Sequence, residues 1–277
     1  MKVGCIIYFF GKRYQQIGKI AVESFKAFHP DIDMHNVNEN NGDLYQATKM
    51  LKNKTVGYGA YKYVLAAEIM KQNKYDKVII LGGDTITCSR LDEFLENDED
   101  ILTTLDYPYQ LNTRFFSTPD SETHLNADVV CFNNIKAILE IIKNSKKYPI
   151  YAEQGALNEI VWSPKHNYTY KIIDGPYSES KVVYNARAKG NICAGPGEKP
   201  WGPHTNKFYV KNNKLFTGDQ KQIKVWHYCE GFGAISDSEF VGLMNNWIFD
   251  WFNKDTKEFF QKNCCSGDFF EKEFVLD

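Results

Sequence analysis

Lys77-Val-Ile-Ile-Leu-Gly-Gly-Asp-Thr-Ile-Thr87 is an unbroken apolar run that stops on two glycines and a carboxylate. Successive large aliphatic side chains without polar alternation predict a strand covered on both faces, the pattern of a parallel sheet. Upstream, Val3-Gly-Cys-Ile-Ile-Tyr-Phe-Phe10 is a second run of the same kind. Ile17, Ile20, Ala21, Ser24, Phe25 and Phe28 recur at helical spacing, and His29-Pro30-Asp31 ends that helix. Asp33 to Val37 reads as a short strand, and Tyr61, Val64, Leu65, Glu68 and Ile69 as a helix entered through Gly57-Tyr58-Gly59. Strand, helix, strand, helix and strand in this order predict right-handed βαβ units, hence an α/β fold on a parallel sheet. Ligands of such sheets bind beyond the carboxyl ends of strands, where Gly11 and Gly82-Gly83-Asp84 fall.

The second half is less regular. Ala127 to Asn133 is strand-like and leads into a helix with Ile135, Ile138, Leu139 and Ile142 as its apolar stripe. Tyr151 to Val161 reads as a short helix, and residues 174–218, rich in Gly, Pro and Asn, as loops and hairpins. Lys224 to Cys229 is a late strand. Phe240, Val241, Met244, Trp247, Ile248 and Trp251 give a last amphipathic helix, whose polar side carries Asn245, Asn246, Asp250 and Asp255 rather than lysines. That composition predicts packing against the domain instead of a membrane surface. No repeat or linker interrupts the chain, so a single domain with two lobes is expected.

Composition narrows the function. The chain has 277 residues, 33 basic and 35 acidic side chains and a formal net charge of −2. A chain of this length buries roughly three quarters of its unfolded surface and needs no disulfide framework. Without a basic excess, a nucleic-acid partner is not expected. Mean hydropathy is −0.46, and no apolar run approaches the roughly 18 residues of a membrane span. Val3 to Phe10, followed by Gly11-Lys12-Arg13, is too short for a secretion signal. The seven cysteines (Cys5, Cys88, Cys131, Cys193, Cys229, Cys264, Cys265) are scattered without a C-x-x-C pair. They predict free thiols in a reducing, cytoplasmic setting and no zinc site. Lysines outnumber arginines by 29 to 4, so an anionic ligand would rest on lysines, helix N-termini and metals rather than on arginine forks.

Four segments carry candidate chemistry. Each has an ordinary structural account as well. Leu81-Gly82-Gly83-Asp84-Thr85 can be a simple turn. Leu125-Asn126-Ala127-Asp128-Val129 puts polar residues ahead of an apolar strand. Glu153-Gln154-Gly155-Ala156-Leu157-Asn158 can be a helix start with an acid placed against the dipole. His227-Tyr228-Cys229-Glu230-Gly231 is a histidine leaving a strand before a glycine.

In order and spacing the four together resemble GT-A type glycosyltransferases of family 8, the glycogenin-like and lipopolysaccharide galactosyltransferase-like group. There a strand ends in Leu-Asp-Ala-Asp-Thr, which residues 81–85 match except at Gly82. An Asn-x-Gly-Val strand is similar to Asn126 through Val129, an Asp-Gln-Asp-x-x-Asn helix start to Glu153 through Asn158, and a late His-(Phe/Tyr)-x-Gly segment to His227, Tyr228 and Gly231. The resemblance implies a GT-A, Rossmann-like α/β fold on a mixed, mostly parallel central sheet flanked by helices, with a nucleotide-sugar half over about 1–105 and a less regular acceptor half plus C-terminal helix over about 106–277. It implies transfer of a hexosyl or pentosyl group from a nucleotide-diphosphate donor, UDP-sugar by likeness, to a glycan hydroxyl in glycan biosynthesis. Mn²⁺ or Mg²⁺ would bridge the diphosphate and stabilise the charge of its departure. Asp84 and His227 would be its protein ligands. Tyr8 would stack on the base. Lys62, Gly82, Gly83, Asn126, Gln154 and Gly231 would contact phosphate or sugar.

The family retains anomeric configuration. An inverting course would instead need a carboxylate at the acceptor hydroxyl, with Glu153 ahead of Asp128. Two alternatives accompany this reading. One is a catalytically inactive nucleotide-sugar-binding homologue, because Gly82 replaces an acid. The other is a nucleotide-sugar pyrophosphorylase, which normally opens on a glycine-rich Leu-x-Gly-Gly-x-Gly-Thr loop that Phe9-Phe10-Gly11-Lys12-Arg13 does not reproduce.

Overall fold

The computed structural model describes residues 1–9, 12–38, 58–106, 124–148, 152–173, 181–184, 209–218, 220–227 and 254–263. Its contacts divide the chain into two compact units that alternate along the sequence. One comprises Met1–Tyr8, Ile32–Leu81 and Asp92–Gly175; the other comprises Phe9–Asp31, Gly82–Leu91 and Pro176–Asp277.

The first unit is built on a six-stranded sheet. Its strands are β1 (Val3–Tyr8), β2 (Asp33–Val37), β3 (Lys77–Gly82), β5 (Ile101–Leu105), β6 (Leu125–Phe132) and β7 (Tyr170–Ile172), in the order β2-β1-β3-β6-β5-β7. β1 runs parallel to β2, and β5 to β7, whereas β6 is antiparallel to both of its neighbours. β1 and β3 begin at the same end, because Asp76 N–H donates to the Lys2 carbonyl at 2.9 Å. The mixed, mostly parallel sheet expected from the sequence is present, with β6 as its reversed strand. Every residue of β3 is buried, which is why its sequence lacks alternation.

Helices α2 (Tyr61–Asn73), α4 (Ile135–Ser145) and α5 (Ala152–Trp162) pack side by side, α4 between the other two. The stripe expected on α4 is rotated. Ala137, Ile138, Ile141, Asn144 and Ser145 are buried, while Leu139 is 52% exposed. A helix flanked on two sides buries the small residues that admit its neighbours, which a search for large apolar side chains overlooks. Asn134 caps α4 by accepting from the Lys136 amide at 2.9 Å.

Lys77 opens β3 and is 1% exposed. Its ammonium donates to the carbonyls of Phe94, Leu95 and Asn97 at 2.8, 3.0 and 2.7 Å. These lie at the end of the one-turn helix α3 (Asp92–Glu96), whose last carbonyls have no partners within the helix.

The second unit holds α1 (Lys12–Phe28), the strand pair β4 (Thr85–Thr87) and β12 (Val225–His227), α6 (Lys254–Asn263) and a small sheet. That sheet orders β8 (Val182–Val183), β11 (Gln222–Ile223), β10 (Lys214–Phe216) and β9 (Tyr209–Lys211) as β8-β11-β10-β9. The β9–β10 turn is Asn212-Asn213 with φ of 52° and 55°, the two successive left-handed residues that a two-residue hairpin needs. This is one of the hairpins expected between 174 and 218. α1 ends at Phe28, as His29-Pro30 predicts, and His29 Nε2 accepts from the Leu91 amide at 2.9 Å.

Among the described residues no helix is long and apolar enough to cross a membrane. Cys5, Cys88 and Cys131 are free and buried. The other four cysteines, the aromatic helix expected over 240–251 and Gly231 lie outside the described residues.

Candidate active site

Two groups of side chains carry the residues singled out from the sequence, one in each unit. In the first unit the group gathers around the start of β6. Leu102 of β5 faces Cys131 and Thr104 faces Asn126, so three residues of β5 (102–104) lie against six of β6 (126–131). This irregularity takes residues 127–130 out of step with β5, while Leu81 of β3 still pairs with Val129. Bulges of this kind re-aim side chains beside functional sites.

Asn126 fixes the local backbone. Its Oδ1 accepts from the amides of Asp128 and Val129 at 2.8 and 3.0 Å, and its Nδ2 donates to Asp106 Oδ1 at 3.1 Å. Gln154, in the first turn of α5, donates to the other Asp106 oxygen at 2.6 Å. Asn158 holds that helix against the strand: Oδ1 accepts from the Leu125 amide at 2.9 Å, and Nδ2 donates to the carbonyls of Leu125 and Gln154 at 3.1 and 2.8 Å. Gly155 is required within the helix because a Cβ there would stand 2.6 Å from the Tyr148 ring.

Lys62, Asp128 and Glu153 form an ion triad. Lys62 is 3% exposed, and its ammonium binds the Asp128 carboxylate directly and Glu153 Oε1 at 3.4 Å. Burial draws the Lys62 pKa down, but the two carboxylates more than offset it and the net shift is upward. Gly59, one turn earlier, lies against the Glu153 carboxylate so closely that a Cβ would collide with it. Glu153 is therefore seated between a backbone and an ammonium. Lys62, expected to contact phosphate or sugar, is thus an internal residue engaged by two carboxylates. Tyr8, at the end of β1, is half-buried.

Asp106 was not singled out from the sequence. The signal existed: Ile-Leu-Thr-Thr-Leu-Asp106 repeats the pattern of an apolar run ending on a carboxylate, but its two threonines obscure the strand. His124, beside it, is 1% exposed, and burial lowers its pKa to about 4 against the opposing pull of Asp106. The unfolded imidazole titrates near 6.5. Below that pH the unfolded chain takes up a proton that the folded one refuses. The contribution to stability is complete above pH 6.5, falls as the pH drops towards 4, and then levels off, about 3 kcal/mol in all. Urea midpoints from pH 7.5 to 4 should accordingly decline more steeply for the wild type than for His124→Gln; parallel curves would show that His124 does not set the slope.

The second unit brings together residues from distant parts of the chain. β4 pairs antiparallel with β12, placing Thr85 opposite His227, Ile86 opposite Trp226 and Thr87 opposite Val225. Thr85 Oγ1 donates to the Gly82 carbonyl at 2.7 Å, tightening the Gly82-Gly83-Asp84 turn. Ser24 of α1 accepts from the Thr87 amide at 3.1 Å. The result sets His227 Nε2 at 3.3 Å from Asp84 Oδ1, with Asp84 7% and His227 2% exposed. Two neighbouring ligands of one octahedral cation, each bonded at about 2.1 Å, stand roughly 3 Å apart, so one oxygen and one nitrogen at this separation suit a divalent ion. Among the described residues no cluster of three or more such side chains occurs.

The structure is similar to a glycosyltransferase involved in the glycosylation of the major capsid of PBCV-1. The match covers 87% of this chain and 97% of that one, at 13% identity and a TM-score of 0.50. The chain has a glycosyltransferase fold. Also similar are the galactosyltransferase LgtC in complex with donor and acceptor sugar analogs (16% identity, 88% and 95% covered, TM-score 0.45) and the apo bifunctional glycosyltransferase WbbM (14% identity, 83% and 46% covered, TM-score 0.49). No protein-family model and no curated protein matches the chain. At these identities the likeness to the glycosyltransferases is one of fold, and chemistry must be argued from the residues.

Proposed function

We propose that the protein is a glycosyltransferase that moves a sugar from a nucleotide-diphosphate donor, a UDP-sugar, to a glycan hydroxyl. The observation that carries this reading is the buried Asp84–His227 pair, closed by the β4–β12 ladder. Asp84 and His227 hold Mn²⁺ or Mg²⁺, which stabilises negative charge on the leaving diphosphate; imidazole beside carboxylate suits Mn²⁺ in particular. Gly82 and Gly83 let the backbone of the turn approach the diphosphate closely, and Gly231 belongs to the same diphosphate-side set. Tyr8 offers a ring face to the base. Asn126 and Gln154, both bonded to Asp106, present amides and a carboxylate to sugar hydroxyls. Lys62 acts by holding Glu153 and Asp128, the two carboxylates available at the acceptor hydroxyl. All of this belongs to one glycosyltransferase domain in a cytoplasmic protein.

The alternatives of an inactive homologue and a pyrophosphorylase separate in one experiment. The protein is incubated with a panel of nucleotide sugars and Mn²⁺, and melting temperature and free nucleoside diphosphate are followed. Metal-dependent stabilisation by UDP and a UDP-sugar, with release of UDP when acceptor is added, is expected. Stabilisation without release would favour the inactive homologue, and formation of UTP and sugar 1-phosphate when pyrophosphate is added to the UDP-sugar in place of acceptor would favour the pyrophosphorylase. If no nucleotide raises the melting temperature, the transferase reading falls.

A further inference from the structure

The small sheet of the second unit is charged out of proportion to the chain. Residues 181–184, 209–218 and 220–227 carry Lys181, Lys211, Lys214, Lys221 and Lys224 and no carboxylate, whereas the whole chain has 33 basic against 35 acidic side chains. The β9–β10 hairpin brings two of these lysines together. Lys211 is the register partner of Lys214 across the Asn212-Asn213 turn, and both are exposed. Like charges directly opposite on neighbouring strands repel and cost stability. A third lysine joins from α6. Asn213 and Asn263 exchange amide hydrogen bonds at 3.3 Å in both directions, which brings exposed Lys262, the residue before Asn263, to the same end of the hairpin. Among the described residues none of the three is paired with a carboxylate. Protection of a sheet edge accounts for Lys211, since β9 is an edge strand. It does not account for Lys214, because β10 lies inside the sheet between β11 and β9.

Residues two apart share a face of a strand, so the lysine pair continues into the next pair along, Tyr209 and Phe216. Their rings stack with centroids 5.6 Å apart and planes within 19°, and both are half-buried. Leu215, on the opposite face, is fully buried. One face of the hairpin thus turns to the interior, while the other carries two ammonium groups followed by an aromatic surface. Ammonium groups answer carboxylates or phosphates, and aromatic rings take the apolar C–H faces of sugar rings. We infer that the β9–β10 hairpin, through Lys211, Lys214, Lys262 and the Tyr209–Phe216 pair, binds an anionic glycan. The choice of a glycan among polyanions rests on the transferase reading above, within which it names the acceptor class: a sugar chain bearing acidic groups.

Tetragalacturonic acid and its methyl ester share one sugar chain and differ in charge. Dissociation constants for both, for tripolyphosphate and for a short single-stranded DNA are measured by calorimetry on the full chain, without nucleotide or metal. The proteins are the wild type, the double substitution Lys211→Gln with Lys214→Gln, Lys262→Gln and Tyr209→Leu. The wild type should bind the acid about tenfold more tightly than the ester, the product of three contacts each of the modest size of an exposed ion pair. That advantage should fade as salt rises from 20 to 300 mM. The double substitution should narrow the ratio to threefold or less, and, having lost an opposed charge pair, should melt no lower than the wild type. Lys262→Gln should narrow the ratio by a smaller factor, which keeps the test in force if the hairpin variant folds poorly. Tyr209→Leu should weaken acid and ester alike and leave tripolyphosphate unchanged. Equal binding of acid and ester by the wild type, a ratio that no folded variant moves, or tighter binding of the DNA or of tripolyphosphate than of the acid would overturn the inference. With neither UDP nor Mn²⁺ present, those results leave the nucleotide reading intact. Failure of UDP to bind in the separate assay above would instead remove the acceptor role and leave the measured glycan binding standing.

Discussion

Replacing Lys77 with methionine is expected to lower the melting temperature by about 6–12 °C, the shift that corresponds to roughly 3 kcal/mol in a chain of this size. The ammonium is buried at the start of β3 and gives its three protons to the carbonyls of Phe94, Leu95 and Asn97. Methionine fills the same volume but offers no donor, so three carbonyls at the end of a short helix lose their partners together. Asn97 also anchors Asn133, whose Nδ2 donates to the Asn97 and Glu99 carbonyls at 3.1 and 2.7 Å. The disturbance should therefore reach the end of β6. Lys77→Arg keeps the charge but changes the donor geometry and should fall between the two. A methionine variant melting within 2 °C of the wild type would show that water satisfies those carbonyls instead.

Asp84→Asn is expected to abolish the Mn²⁺-dependent part of UDP binding and to reduce sugar transfer on the order of 100-fold or more. Asparagine preserves the size of the side chain while removing the negative oxygen that faces His227 at 3.3 Å. His227→Ala should do the same by removing the nitrogen. If both act through one cation, the double variant should lose little beyond either single one, since residues that work as a unit are not additive. Calorimetry of UDP with and without Mn²⁺ reads the metal effect separately from turnover. Full Mn²⁺ dependence in either single variant would dismiss the pair as a metal site.

Much of the first unit was legible in the chain because burial on both faces leaves an unmistakable mark. Val78 through Leu81 and Cys5 through Ile7 have no polar interruption, and the helix between the first two strands was bounded by His29-Pro30. β5 escaped notice because threonine reads as polar, although Thr103 and Thr104 are fully buried and donate to the carbonyls of Asn126 and Val129. Asp106 was lost with its strand. The same limit applies to Lys62. A lysine in a helix reads as a solvated face until the fold shows two carboxylates converging on it from elements more than 60 residues away. Asp84 and His227 were marked through the ordered likeness of four segments. The antiparallel ladder that joins them depends on β4 and β12, each three residues long and too short to show a period.

That ladder also bears on how the molecule is made. Asp84 leaves the ribosome well before His227, with about 140 residues of synthesis between them, on the order of 7–30 s at ordinary elongation rates. During that interval β4 is a strand without its partner, its edge open to other pairings. The six-stranded sheet of the first unit has all its strands by Ile172 and can form meanwhile. Asp84 and His227 meet only after a long loop has closed, at a high cost in chain entropy. The centre proposed to handle the diphosphate is therefore among the last parts of the protein to come into existence, and a chain halted before Val225 would have the sheet and the Lys62–Asp128–Glu153 triad but not the pairing of Asp84 with His227.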